Sequence, residues 1–412
     1  MTRAALFFAL VPAALAADTC IECHSALAGN LQKPAALFSA DIHGNQGFSC
    51  ADCHGGDRTA SDMEAAMSPA KGFRGHIART AIPQLCARCH SDAALMRRYN
   101  PRQRVDQYAQ YLTSVHGKRI ASGDPAAATC IDCHSVHDIR TVRDALSPVH
   151  PLRLPDTCGR CHADAARMAK YKIATNQLAE YRESVHWEAL SKRGDLSAPS
   201  CASCHGNHGA TPPQVAAVAN VCGTCHAMLE DVFRTSPHQT PFASLGGCVV
   251  CHSNHAVRQP SAAMLAGSEA VCANCHDPES PGGKSAAAMA AAIQRLDSTL
   301  AASDALLARA RRSGMEVSEA LLREHDAREA FVKTRVAVHT FRAVAVEKAA
   351  GEGLAIAAET RRAGEDALKE RDYRRLGLLA ALAAIAVTIA GLWMMVRSME
   401  RAKPPAAEVS KR

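Results

Sequence analysis

Aromatic residues make up 4% of this 412-residue chain, and no long apolar run occurs between residues 18 and 280. A stretch of that kind cannot assemble a large side-chain core of its own. No stripe of interleaved aromatic and basic residues is present, so the formal charge of +7 is not a nucleic-acid footprint. Strand patterning has little support, because Gly, Pro, Ser and Asp punctuate the stretch and read as loop. Nor is any cysteine left over once one short pattern has been counted.

That pattern is Cys-x-x-Cys-His, and nine copies of it use all 18 cysteines. The pairs are Cys20 and Cys23, Cys50 and Cys53, Cys86 and Cys89, Cys130 and Cys133, Cys158 and Cys161, Cys201 and Cys204, Cys222 and Cys225, Cys248 and Cys251, and Cys272 and Cys275. Each is the attachment signature of a c-type haem. The two thiols add across the haem vinyl groups, and the following histidine binds iron on one face. Nine covalent porphyrins supply the apolar mass that the side chains lack. Their propionates, about 18 carboxylates in all, offset the basic excess.

Both ends read as membrane-related. Arg3 precedes the apolar run Ala4 to Leu15, and Ala14-Leu15-Ala16 fits a cleavage site, so residues 1–17 read as an export signal. Leu376 to Val396 is uncharged, contains Trp393, and is flanked by Arg374, Arg375 and Arg397. Its 21 residues are long enough to cross a hydrocarbon layer of about 30 Å. The expected organisation is a nine-haem domain at 18–280, a helical hairpin or spacer at 281–372, a transmembrane helix at 373–397 and a cytoplasmic tail at 398–412. The expected fold is mainly α with extensive irregular loop, organised around a haem chain. A long-helix hairpin or bundle and one C-terminal transmembrane helix follow. The expected location is the inner membrane, single-pass, with the haem domain in the periplasm.

The haem region is internally duplicated. Residues 108–116, ending Ser-Val-His, precede Cys-Ile-Asp-Cys-His-Ser-Val-His at 130–137; residues 178–186, again ending Ser-Val-His, precede Cys-Ala-Ser-Cys-His-Gly-Asn-His at 201–208. A shorter version runs from His238 to His255, and a looser one starts at His43. Short helices are expected at 93–99, 105–114, 163–171 and 177–184. Beyond a Pro/Gly/Ser boundary at 277–286 the chain turns rich in Ala, Glu, Arg and Leu. Ile293, Leu296, Leu300 and Leu307 form one apolar helical stripe. Gly314 interrupts, a second helix reaches about Phe341, and a break at Gly351-Glu-Gly353 is expected to precede a third.

Eleven histidines stand outside the motifs. Nine of them lie in the haem region: His43, His76, His116, His137, His150, His186, His208, His238 and His255. Nine irons and nine spare imidazoles suggest two histidine ligands for most irons. His137, His208 and His255 each follow a motif histidine by three residues. Ring strain keeps both from one iron, so the second is expected on an adjacent haem. His325 sits among charges and reads as surface. His339 is a further candidate ligand that would tie the helical region to the haem chain.

With both axial positions filled, electron transfer is favoured over bond-making. The sequence resembles the multihaem c-type cytochromes of the cytochrome c3 and c7 class, especially membrane-anchored periplasmic members used in anaerobic respiration. The resemblance rests on Ser-Val-His-Gly at 114–117, Cys-His-Gly-Asn-His at 204–208 and the nine sites, and spans roughly 18–276. It implies proximal ligands at His24, His54, His90, His134, His162, His205, His226, His252 and His276. It also implies a quinone-reactive membrane subunit or other membrane donor, and periplasmic or outer-membrane cytochromes or a terminal reductase as acceptors. The chain departs from membrane-anchored quinol dehydrogenases of this class, whose helix is usually N-terminal. Two alternatives are direct quinol oxidation and a multihaem reductase of a nitrogen or sulfur oxyanion with one open-site haem. The reading is of an electron carrier rather than a catalyst.

Overall fold

The computed structural model describes residues 18–213 and 218–401; residues 1–17, expected to be an export signal, and 402–412, most of the expected tail, lie outside the described residues. Among the described residues there are helices, turns and loops, and no strand. The chain separates into two compact units, Met1–Cys222 with Leu245–Gln259, and Gly223–Ser244 with Pro260–Arg412.

The first unit repeats two kinds of motif helix in alternation. One kind is short: Cys50–His54, Cys130–His134 and Cys201–His205. Ser49, Thr129 and Ser200 cap these helices reciprocally with the residue three positions on. Each such helix ends abruptly, because the next residue has positive φ: Gly55 at 72°, Ser135 at 70° and Gly206 at 77°. The eighth motif leaves its helix the same way through Ser253, φ 62°. The other kind is longer and carries Pro in its first turn: Ile82–His90 and Leu154–His162. Between them lie helices such as Val115–Ala121 and Val185–Ser191, N-capped by Ser114 and Ser184.

The duplication extends to hydrogen bonds. Tyr111 donates to the carbonyl of Ala128, and Tyr181 to that of Pro199, both at 2.8 Å and both two residues before a motif cysteine. Arg88 donates to the carbonyl of Asp52 at 3.1 Å, and Arg160 to that of Asp132 at 2.6 Å. In each case the arginine inside a long motif holds the short motif before it. The unit has few buried apolar side chains, notably Ile82, Ile120, Met168 and Leu190, as its composition requires.

The second unit is built on three long helices, Pro281–Arg312, Ser318–Ala337 and Ala343–Arg401. Ser280 caps the first. Leu296, Leu300, Ala327, Val346 and Ala357 share one core cluster, and Leu307, Ala310, Val317 and Leu368 a second. Each fully buried leucine is worth about 1.5–3 kcal/mol. Gly314, φ 77°, closes the first turn, where Met315 donates to the carbonyl of Ala310. Phe341, φ 57°, makes the second turn after the single 3₁₀ turn Val338–Thr340.

One expectation is corrected. The third helix runs unbroken through Gly351 and Gly353. A Cβ on Gly353 would lie 2.9 Å from Leu296 Cδ2 and 3.1 Å from Ala330 Cβ, so this glycine permits close packing rather than a break. The same face continues through Ala350, Ala357, Thr360 and Gly364. His325 is exposed, as its charged neighbours suggested, whereas Glu324 beside it is 2% exposed. Its Oε2 accepts from Ser303 at 3.0 Å and from Thr360. Past Leu368 no described residue is buried, and the third helix contains an apolar window of mean hydropathy 2.3 that is long enough to cross a membrane. Arg397 stacks on Trp393 at 4.3 Å near its end.

Candidate haem-ligand sites

The geometry of the motif histidines carries the chemistry. Six of them face a second histidine across a gap of nearly constant width. Ring centroids are separated by 6.0 Å for His90 and His43, 6.2 Å for His54 and His137, and 6.1 Å for His162 and His116. The values are 6.1 Å for His134 and His208, 6.1 Å for His205 and His255, and 5.9 Å for His276 and His238. Two metal–nitrogen bonds of about 2.0 Å plus two ring radii of about 1.2 Å predict about 6.4 Å for imidazoles on opposite sides of one metal. The spacing therefore fits an iron between each pair. Among the described residues no group of three or more His, Cys, Asp and Glu side chains is placed to hold a bare metal ion. A haem iron asks the protein for only two ligands.

The pairs follow two rules that the sequence alone did not show. An upstream histidine skips the motif it precedes and faces the next one: His43 passes over Cys50–His54 to His90, His116 over Cys130–His134 to His162, and His238 over Cys248–His252 to His276. A histidine three residues after a short motif faces a preceding short motif: His137 to His54, His208 to His134, and His255 to His205. The positive φ after each short motif is the physical cause, since it turns the chain away from the histidine just made.

The other ring nitrogen is often held by the backbone or a carboxylate, which fixes the tautomer and leaves Nε2 for a metal. His24 Nδ1 lies 2.9 Å from the Leu31 carbonyl, His54 Nδ1 3.1 Å from those of Arg74 and Gly75, and His205 Nδ1 3.3 Å from that of Thr211. His43 Nδ1 lies 2.9 Å from Asp41, and His255 Nδ1 3.5 Å from Glu180. Burial, and then the facing His208, hold His134 down to about 4. Burial likewise lowers His90, His116, His137, His162, His208, His238 and His255. All are thereby kept as the neutral imidazole that binds metal.

The thiols add an order. Cys20 feels the charge of Cys50, and Cys53 that of Cys86. The Cys86 thiol lies beside that of Cys130, Cys133 near Cys161, and the Cys158 thiol beside that of Cys201. Cys222 lies near Cys204 and beside Cys248. Attachment points from the first motif to the eighth are thus neighbours in chain order.

His76 is exposed and lines a cleft of about 530 Å³ with Arg74, Leu85 and Arg88. His150 is buried, and its Nδ1 accepts from the Leu152 amide at 3.4 Å. Neither belongs to the six pairs. His186 occupies in helix Val185–Ser191 the place that His116 holds in Val115–Ala121. His226 precedes helix Ala227–Arg234, and His252 ends Val249–His252. His339 is half-buried in its 3₁₀ turn, with Nδ1 3.3 Å from the Val336 carbonyl. Within the second unit the ninth motif is anchored on the bundle: Cys272 packs against the first core cluster, and Phe341 covers His238 at 4.0 Å. Phe341 and Gly282 escaped the sequence reading. A Cβ on Gly282 would meet His276 Nδ1 at 2.4 Å, a closeness that no periodicity announces.

A family model described as cytochrome c3 matches residues 42–163 and 195–277. Each matched stretch contains four of the nine motifs. The match indicates a multihaem c-type cytochrome region similar to cytochrome c3, whose family is one of electron carriers rather than catalysts. No curated protein and no solved structure matches the chain.

Proposed function

We propose that this protein relays electrons through nine covalently attached c-type haems, most of them held by two histidines. The donor is a quinone-linked membrane subunit, and the acceptors are periplasmic or outer-membrane redox proteins of anaerobic respiration. The carrying observation is the set of six imidazole pairs separated by 5.9–6.2 Å. The haems supply one-electron redox chemistry when bound.

The residues supply the rest. The paired histidines would hold each iron from both sides and leave no position for substrate, which would favour carrying electrons over bond-making. Contiguous thiols place the attachment points in sequence. The apolar segment of the third helix anchors the chain in the inner membrane as a single pass, with the haem region on the periplasmic side. That orientation follows from an exported N-terminus.

The test is purification of the full-length protein from membranes. Nine haems per chain are expected, with a low-spin spectrum and rapid reduction by a reduced menaquinone analogue in the presence of its membrane fraction. Far fewer haems, or carbon monoxide binding at most of them, would refute the reading. Loss of residues 376–396 is expected to release a haem-loaded soluble form.

A further inference from the structure

The four upstream histidines of the repeat are not dressed alike. Two residues before His43, His116, His186 and His238 stand Asp41, Ser114, Ser184 and Ser236. The serines act as simple helix or turn caps. Ser114 accepts from the Gly117 amide at 2.9 Å, Ser184 from that of Trp187 at 3.1 Å, and Ser236 from that of His238 at 3.3 Å. The Ser114 and Ser184 hydroxyls donate to the carbonyls of Tyr111 and Tyr181, both at 2.6 Å.

Asp41 also caps, accepting from the His43 amide at 2.8 Å. It does two further things. Its Oδ1 accepts from His43 Nδ1 at 2.9 Å, and its Oδ2 from the Ile139 amide at 2.8 Å. Ile42 N in turn donates to the Ile139 carbonyl at 2.7 Å. The carboxylate is 2% exposed. Ile139 follows His137 by two residues, and His137 faces His54. One buried carboxylate thus holds the imidazole that faces His90 and pins the arm that faces His54.

We infer that Asp41 is a positioning residue that sets the site between His43 and His90 at a lower reduction potential than its repeat counterpart between His116 and His162. The inference rests on the bis-imidazole reading above. A carboxylate on Nδ1–H draws that proton toward itself and makes Nε2 a stronger donor, which favours the ferric state. Its own negative charge, held in a dry setting, opposes an added electron. Ser114 offers neither effect. The relay therefore carries a built-in step at its third site, created by one side chain that departs from the repeat.

The experiment uses the full-length, haem-loaded protein. Asp41→Asn keeps a capping oxygen and removes the charge; Asp41→Ser installs the residue of the other repeats. Potentiometric titration followed by visible and electron paramagnetic resonance spectra is expected to show one component moving upward. The shift should correspond to roughly a tenfold change in the ferric–ferrous equilibrium, about 59 mV for one electron. The other components and the low-spin count should hold. Ser114→Asp is the converse variant and should move one component down. Unchanged potentials in Asp41→Asn and Ser114→Asp, with every haem low-spin, would overturn the inference. His43→Ala separates the two levels of the argument. One new carbon monoxide-binding haem supports the ligand assignment on which the inference depends, whereas an unchanged low-spin count overturns the assignment and the inference together.

Discussion

Replacing His208 by alanine should open the site at His134, not the one at His205 three residues away. The rings of His134 and His208 are 6.1 Å apart and nearly parallel, with an interplanar angle of 9°. The imidazole of His205 instead faces His255. The variant should therefore gain one high-spin haem per chain, readable as one equivalent of carbon monoxide bound to the reduced protein. The same substitution should also cost stability. A ligand bond joining residues 134 and 208 closes a loop of about 74 residues, and the entropy relation for a covalent cross-link gives about 4.5 kcal/mol for a loop of that length. That figure is an upper bound for a bond that exchanges. The assay is a guanidinium titration followed by the visible haem band, alongside the carbon monoxide count. The companion variant His255→Ala should open the His205 site, with a closed loop of about 50 residues and about 4.1 kcal/mol by the same relation. No carbon monoxide uptake in either variant would refute the pairing rule.

Three further outcomes are expected. Gly282→Val should push the His276 ring from its place, since even a Cβ would approach Nδ1 to 2.4 Å, and one low-spin haem should be lost while the helical signal of the bundle persists. Thr360→Val removes a donor from the buried Glu324 carboxylate, whose Oε1 already has no hydrogen-bond partner, and should lower bundle stability by about 1–3 kcal/mol in a circular-dichroism melt. Asp124 is held down to about 2 by hydrogen bonds from Tyr171 and Lys170. A carboxyl depressed in the folded state contributes stability above its unfolded value of about 3.9, and loses it as pH falls toward 2. Asp124→Asn should flatten that part of the acid-denaturation curve, and an unchanged curve would show that these bonds add nothing.

Much of the bundle was legible in advance. The stripe of Ile293, Leu296, Leu300 and Leu307 is buried as its spacing implied, and Ser280 caps the first long helix at the compositional boundary. The glycines at 351 and 353 misled because glycine has two uses. It can free the backbone, as Gly314 does, or make room for a neighbour, as Gly353 does for Leu296. Sequence carries no mark that distinguishes them. Glu324 is buried beside the exposed His325, because its own face turns to Ser303 and Thr360.

By itself the sequence determined which residues can offer covalent attachment, because the Cys-x-x-Cys-His signature is written in five contiguous residues and needs no fold to be recognised. It also determined the apolar segment, whose length and lack of charge are local properties. Which imidazole faces which was decided by tertiary structure alone. The partners lie 38 to 83 residues apart, and their pairing depends on chain direction after each motif, set by single residues such as Gly55, Ser135 and Gly206. A backbone angle two residues before a ring, as at Ser135 before His137, turns that ring toward a partner tens of residues away. That relation is geometric, and no count of histidines contains it.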